Sequence, residues 1–198
     1  MFALVESGSI TKMMKGNKGI TIGDNQYPSA IFGTAWTESE RNAIGIYTVE
    51  IDNTNKKDEE WYINTNISYA FGSGKVTGTY GTATAKAIAD ANAKDSDGNE
   101  LDPVVVIEGL KTIKKRIIDN QCAGILAPSD YMAIKAAEGI AIDSGWKTWR
   151  ASVRTKCNSM QTQIDNAANV DALAALFTYT EQEDKSITRP LGEFPIKE

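Results

Sequence analysis

The stretch Gly145 to Ile164, GWKTWRASVRTKCNSMQTQI, restricts the possible folds of this chain more than any other. Trp146, Trp149, Val153, Cys157, Met160 and Ile164 recur at intervals of 3, 4, 4, 3 and 4 residues. That spacing lays one apolar seam along an α-helix and turns Lys147, Arg150, Arg154, Lys156, Gln161 and Gln163 in other directions. Asp143 and Ser144 precede it as candidate N-caps, able to accept from the first free backbone N–H groups. Two tryptophans three residues apart can bury more area than any other pair in the sequence. Other elements, or other copies of the chain, are expected to dock against this helix.

The rest of the C-terminal third carries helical signals too. Asp102 and Pro103 are placed to start a helix, as cap and first residue, with Val106, Leu110, Ile113 and Ile117 as its stripe. Pro128-Ser129-Asp130 restarts a helix carrying Tyr131, Ile134 and Ala137, which Gly139 should end. Val170, Leu173 and Leu176 make a last short helix. Thr178 to Glu198 is polar and charged, and is expected to be an arm ordered only by contact with something else.

The N-terminal half has strand character. Met1–Glu6 and Ser9–Thr11 are short strand candidates, and 17–28 is a Gly-, Asn- and Lys-rich loop interrupted by Ile20–Ile22. Thr37 and Glu40 have capping-box spacing for a short helix over Glu38–Ala43. The runs 46–51, 61–71 and 75–80, joined by polar turns, predict an antiparallel meander with one wet face. Residues 83–94 are alanine-rich and could form a modest helix if something packs on it. The expected class is α+β: an antiparallel β domain over 1–84, a linker over 85–102, a helical bundle over 103–177 and an arm over 178–198.

With 198 residues, 41% of them apolar and 24% charged, the chain can bury a core of ordinary size. A net charge of −5 argues against nucleic acid as the main partner. Lys111, Lys114, Lys115 and Arg116 are accordingly expected on one solvated helix face. No apolar run is long enough to span a bilayer, and the start lacks the pattern of a signal peptide, so no membrane partner is expected. Cys122 and Cys157 fall within helical apolar patterns, where free thiols behave as small hydrophobes.

There is no histidine. Most nucleophile–base arrangements are therefore unsupported, and neither catalysis nor a cofactor is expected. Asp95 to Glu100 looks like half of a calcium loop but lacks its distal glutamate, so a solvated turn is preferred and no metal is expected. Gly72-Ser73-Gly74-Lys75 lacks the first glycine of a phosphate loop and suits a hairpin turn. Trp146 and Trp149 with Arg150 and Arg154 admit two readings. They could be an assembly surface, or an internal seam with arginines snorkelling at its edge. The internal reading is preferred for the tryptophans; for the arginines both stay open.

The strings CAGILAPSDY (122–131) and WKTWRASVR (146–154) resemble a pattern that recurs in bacteriophage tail-fibre and tail-assembly proteins, including the tail assembly chaperone-like family. Its positions here are Leu126, Ser129, Asp130, Tyr131, Trp146, Trp149, Arg150 and Arg154, with Tyr131 where tryptophan is common. The resemblance covers about 104–177. YPSAIF and AWTESERNAIGIY are similar to the small β domain that often precedes this module in phage tail genes. The likeness implies a homo-oligomeric virion tail component, assembled in the host cytoplasm, whose partners are other tail or fibre proteins. A transient assembly chaperone is the alternative, and a carbohydrate-binding module using Trp36, Trp61 and Tyr69 is a third. Of the motif residues, Asp130 is expected from its chemistry to cap a helix or bridge to one of the arginines. Asp130, Tyr131, Trp146, Trp149, Arg150 and Arg154 are the candidate interaction residues.

Overall fold

The computed structural model describes residues 1–65 and 67–197. The fold is α+β, and the chain divides into two compact units, Met1–Thr84 and Ala85–Glu198.

The first unit is built on a five-stranded sheet. Its elements are β1 (Phe2–Glu6), β2 (Ser9–Met14), β3 (Ile20–Ile22), β4 (Asn25–Tyr27), α1 (Glu38–Ala43), β5 (Ile46–Asp52), β6 (Tyr62–Ile63), β7 (Ile67–Gly72) and β8 (Lys75–Tyr80). The sheet runs β2-β1-β5-β8-β7, and β3 pairs with β4 as a separate ribbon. The predicted meander is corrected here. β7 and β8 form a hairpin, but β8 returns to lie parallel to β5, with Val49 opposite Val76. The run 61–71 does not form one strand either: β6 covers only Tyr62–Ile63 and β7 begins at Ile67, while Asn66 lies outside the described residues.

The expected wet face occurs at β7, where Ser68, Ala70 and Gly72 are exposed, but the sheet is covered on both sides at β1 and the start of β5. Ala3, Val5, Val49 and Val76 pack on one side of the sheet with Tyr47, Tyr69 and Phe71. Leu4 and Ile46 face the other side, where Ile20 and Ile31 cover them. Consecutive burial of Ala3, Leu4 and Val5 follows directly, because successive strand residues point to opposite faces. The β7–β8 turn places Ser73 and Gly74 at φ 52° and 75°, the two positive values that a tight primed turn requires. Helix α1 carries the predicted capping box. Thr37 N donates to Glu40 Oε2 at 2.7 Å, and Glu40 N donates to Thr37 Oγ1 at 3.3 Å.

The second unit follows β9 (Thr84–Ala85). It holds β10 (Ala91–Asn92), β11 (Val106–Ile107), α2 (Leu110–Leu126), α3 (Asp130–Ala137), α4 (Ser144–Asn166), α5 (Val170–Phe177), β12 (Thr180–Glu181) and β13 (Ile187–Thr188). Two expectations fail at its start. Residues 83–94 form no helix; their apolar face is only methyl groups, and β10 pairs instead with β11. Pro103 begins no helix, because the Val104–Ile107 run that follows is β-branched and extended. Helix α2 begins at Leu110, where Asp90 Oδ1 accepts from Gly109 N at 2.7 Å and Thr112 Oγ1 donates to Asp90 Oδ2 at 3.0 Å.

The buried stripe of α2 is Leu110, Lys114, Ile118, Cys122 and Leu126, not the predicted one; Val106 and Ile117 are exposed. Lys114 therefore leaves the solvated basic face proposed for it, and its ammonium lies 4.9 Å from the centre of the Phe177 ring. Helix α4 packs antiparallel on α2. Gln161 donates to Asp119, and further along Lys111 Nζ donates to Asp165 O at 2.8 Å. The expected arm folds back on its own unit. Leu191 is fully buried and its N–H donates to Leu176 O at 3.1 Å, while Lys156 Nζ donates to Leu191 O at 2.9 Å.

Candidate functional site

Four of the motif residues, Leu126, Ser129, Asp130 and Arg150, meet at the joint between α2 and α3, and Arg150 is its centre. Asp143 caps α4, accepting from Gly145 N at 2.9 Å and Trp146 N at 3.3 Å. That start fixes the phase of the helix. The buried positions are Arg150, Val153, Cys157, Met160 and Ile164.

Arg150 is only 6% exposed. Its Nη1 donates to Leu126 O at 2.9 Å and to Ser129 Oγ, and its Nη2 donates to Asp130 Oδ1 at 2.7 Å. Ser129 Oγ donates in turn to Leu126 O at 2.8 Å. One guanidinium thus pins the last carbonyl of α2, the 3-10 turn Ala127–Ser129 and the first residue of α3 to the second turn of α4. A buried guanidinium is tolerable only when its donors are met, and here the rigid fork meets three acceptors. Asp130 makes the bridge expected of it while its side chain stays 62% exposed.

The remaining candidates do not converge on one pocket. Trp146 and Trp149 stack edge to face at 5.5 Å and are partly buried. The arm covers them: Trp149 Nε1 donates to Pro195 O at 3.0 Å, and Lys197 Nζ lies 5.3 Å from the Trp146 ring centre. Arg154 is exposed on α4, apart from the buried stripe. Tyr131 is 51% exposed, and Ile134, one turn further along α3, is 61% exposed. Ile140, just beyond that helix, is 50% exposed.

A groove escaped the sequence reading, whereas the cysteines lie in apolar stripes as expected. Between α2 and the arm lies an open groove of about 610 Å³, lined in part by Ile125, Phe194, Tyr179 and Arg189. Arg189 Nε donates to Glu193 Oε1 at 2.8 Å, and Tyr179 OH donates to the same carboxylate at 3.0 Å. The two cysteines sit on the facing stripes of α2 and α4, both as free thiols. Burial and the neighbouring Cys122 push the Cys157 thiol up to about 12. Its Sγ donates to Asp119 Oδ1 at 3.6 Å.

The other sites weighed in the sequence resolve into local structure. Asp95 Oδ1 accepts from Asp97 N and Asn99 N, both at 2.9 Å, closing a turn on itself. Those bonds, Asn99 first, hold its carboxyl below the usual aspartate range. No cluster of three metal-ligating side chains occurs among the described residues. Among the same residues no helix is long and apolar enough to cross a membrane. Trp61 is buried, so it cannot form an exposed sugar platform with Trp36 and Tyr69.

Fold and site together define a two-unit α+β protein in which four of the motif residues build a helix joint. Compared with known proteins, the chain matches no family model, no curated protein and no solved structure.

Proposed function

We propose that this chain is a non-enzymatic structural component of a bacteriophage tail, a fibre, adaptor or fibre-attachment protein acting through protein–protein contacts. The observation that carries this reading is the exposed apolar run of Tyr131, Ile134 and Ile140, mounted on a helix joint that Arg150 locks. Clustered apolar side chains left to solvent mark contact surfaces, and aromatic residues dominate binding energy when a rigid base presents them. The tail-protein pattern in 122–154 supplies the class of partner for the second unit: other tail or fibre proteins and further copies of the same chain. In this reading Tyr131 makes the contact. Asp130 and Arg150 hold the joint, and the tryptophans anchor the arm.

Mass spectrometry of purified particles tests the proposal. The chain should be present in stoichiometric amount in intact virions. Presence in infected cells but not in particles would favour the assembly-chaperone alternative. Catalytic turnover by the purified chain would overturn the non-enzymatic reading altogether. Sedimentation adds a second measure: Tyr131→Ala with Ile134→Ala should weaken self-association or partner binding while leaving helix content unchanged.

A further inference from the structure

The first unit carries a feature with no part in that reading. Between β2 and β3 the backbone bends through residues 16–18 without a hydrogen-bonded turn, and it encloses a hollow of about 230 Å³. Lys12, Lys15 and Lys18 line this hollow and all three are exposed. In a chain of net charge −5, the segment from Ser7 to Gly23 contains these three lysines and no carboxylate. Among the described residues none of the three forms an ion pair. No backbone hydrogen bond among those residues uses the N–H of Gly16, Asn17 or Lys18.

The bend is also held in place. Gly16 has φ 78°, and a Cβ there would come within 2.8 Å of the Phe2 ring. A Cβ on Gly19 would lie 2.6 Å from Tyr27 O. Glycine is therefore required at both positions, and the loop lies directly on the core beneath it.

We infer that this loop is a binding site for a phosphate group, carried by a soluble anion or by a lipid headgroup. Three lysines without an ion pair among the residues that line one small concavity supply more positive charge than a single carboxylate would call for. A phosphate monoester carries about −1.5 to −2 at neutral pH and offers three strong acceptor oxygens. Lysine binds phosphate as a point charge, whereas arginine's fork is the better match for bidentate carboxylate recognition. Free amides in a glycine-containing bend add donors of the kind that make anion-binding concavities. The hollow is smaller than the roughly 300–1,000 Å³ of a drug-sized site, which suits a headgroup and not a large ligand.

The test uses the full chain. Pyrophosphate is titrated while amide chemical shifts are followed by NMR, and co-sedimentation is measured with phosphatidylcholine vesicles with or without phosphatidic acid. The largest shifts should fall on Gly16, Asn17 and Lys18, and they should weaken as salt is raised. The triple variant Lys12→Gln, Lys15→Gln, Lys18→Gln should lose at least roughly tenfold in affinity. Removing three charges elsewhere, by Lys94→Gln, Lys147→Gln and Lys185→Gln, should change it by less than about twofold. Binding to pyrophosphate alone assigns a soluble phosphate, and binding to phosphatidic acid vesicles alone assigns a headgroup. Absence of binding in both arms overturns the inference, as do shifts centred outside residues 12–19 or equal losses in the two triple variants. A glutamate peptide of matching charge that binds as tightly as pyrophosphate would overturn the phosphate assignment.

Discussion

Replacing Arg150 with alanine should loosen the second unit by about 2–4 kcal/mol. The magnitude follows from opposing contributions. Three charge-assisted hydrogen bonds disappear, each worth roughly 1.5–3 kcal/mol in favourable settings. The loss is smaller than their sum for two reasons. Leu126 O keeps its bond from Ser129 Oγ, and Asp130 is exposed enough to be hydrated once its partner has gone. Removing a buried guanidinium also relieves its desolvation cost, while the vacated stem leaves a cavity. Arg150→Met separates these effects: it refills most of the volume and should cost less than about 1.5 kcal/mol. Arg150→Lys should fall between the two, because an ammonium cannot span all three acceptors. Urea and thermal unfolding followed by helical ellipticity would read the series, with roughly 3–6 °C per kcal/mol for a unit of this size. An Arg150→Ala protein within about 0.5 kcal/mol of the parent would refute the idea that this side chain holds the joint.

Other expectations are simpler. Gly78→Ala should cost about 1–3 kcal/mol, because a Cβ would lie within 3 Å of the Tyr69, Ile51 and Ile67 side chains; denaturant midpoints would show it. Gly109→Ala should be worse, since its Cβ would collide with the Ala89 backbone, which cannot swing aside as a side chain can. Asp90 is held below the usual aspartate range by the Gly109 amide and then by Thr112. Its stabilising effect is therefore present above an ordinary aspartate pKa and lost as pH falls through its lowered folded value. Asp90→Asn should flatten that acid limb in a pH series of melts. Cys157 has the opposite sign. With its folded pKa pushed up to about 12, stability should fall as pH rises above that of an unfolded thiol, about 8.5. Alkylation by iodoacetamide at pH 8 should leave Cys157 untouched until the chain unfolds.

Much of the second unit was legible because α4 has a strong period and clear punctuation. Its cap, the Val153, Cys157, Met160 and Ile164 part of its apolar seam, and the glycine ending α3 appear where residue type and spacing place them. Arg150 was harder to place. The buried positions 150, 153, 157, 160 and 164 step by 3, 4, 3 and 4, a strict heptad rhythm that runs through the arginine and leaves Trp149 beside it. Reading apolar residues alone selected the tryptophan, since nothing in the helix itself announces three acceptors waiting on another element. Lys114 was missed for the same reason: its companion ring, Phe177, is far along the chain. In the first unit, strands and turns were visible because they are local. The pairing of β5 with β8 is not local, and alternation cannot distinguish a parallel neighbour from an antiparallel one.

That parallel pairing makes the sheet a join between two antiparallel ribbons, one containing β1, β2 and β5 and the other β7 and β8. Neighbours that run the same way share no tight turn, so their ladder, the packing of residues such as Val49 and Val76, and the Lys75–Glu50 ion pair at 3.0 Å hold the seam together. Lengthening the charged stretch 53–60 should therefore cost little, because loop closure grows only slowly with length. The ribbon beyond it behaves as a cassette. A peptide spanning β7 and β8, supplied separately, should reconstitute the sheet by complementation, and cargo inserted at 53–60 should leave the seam intact.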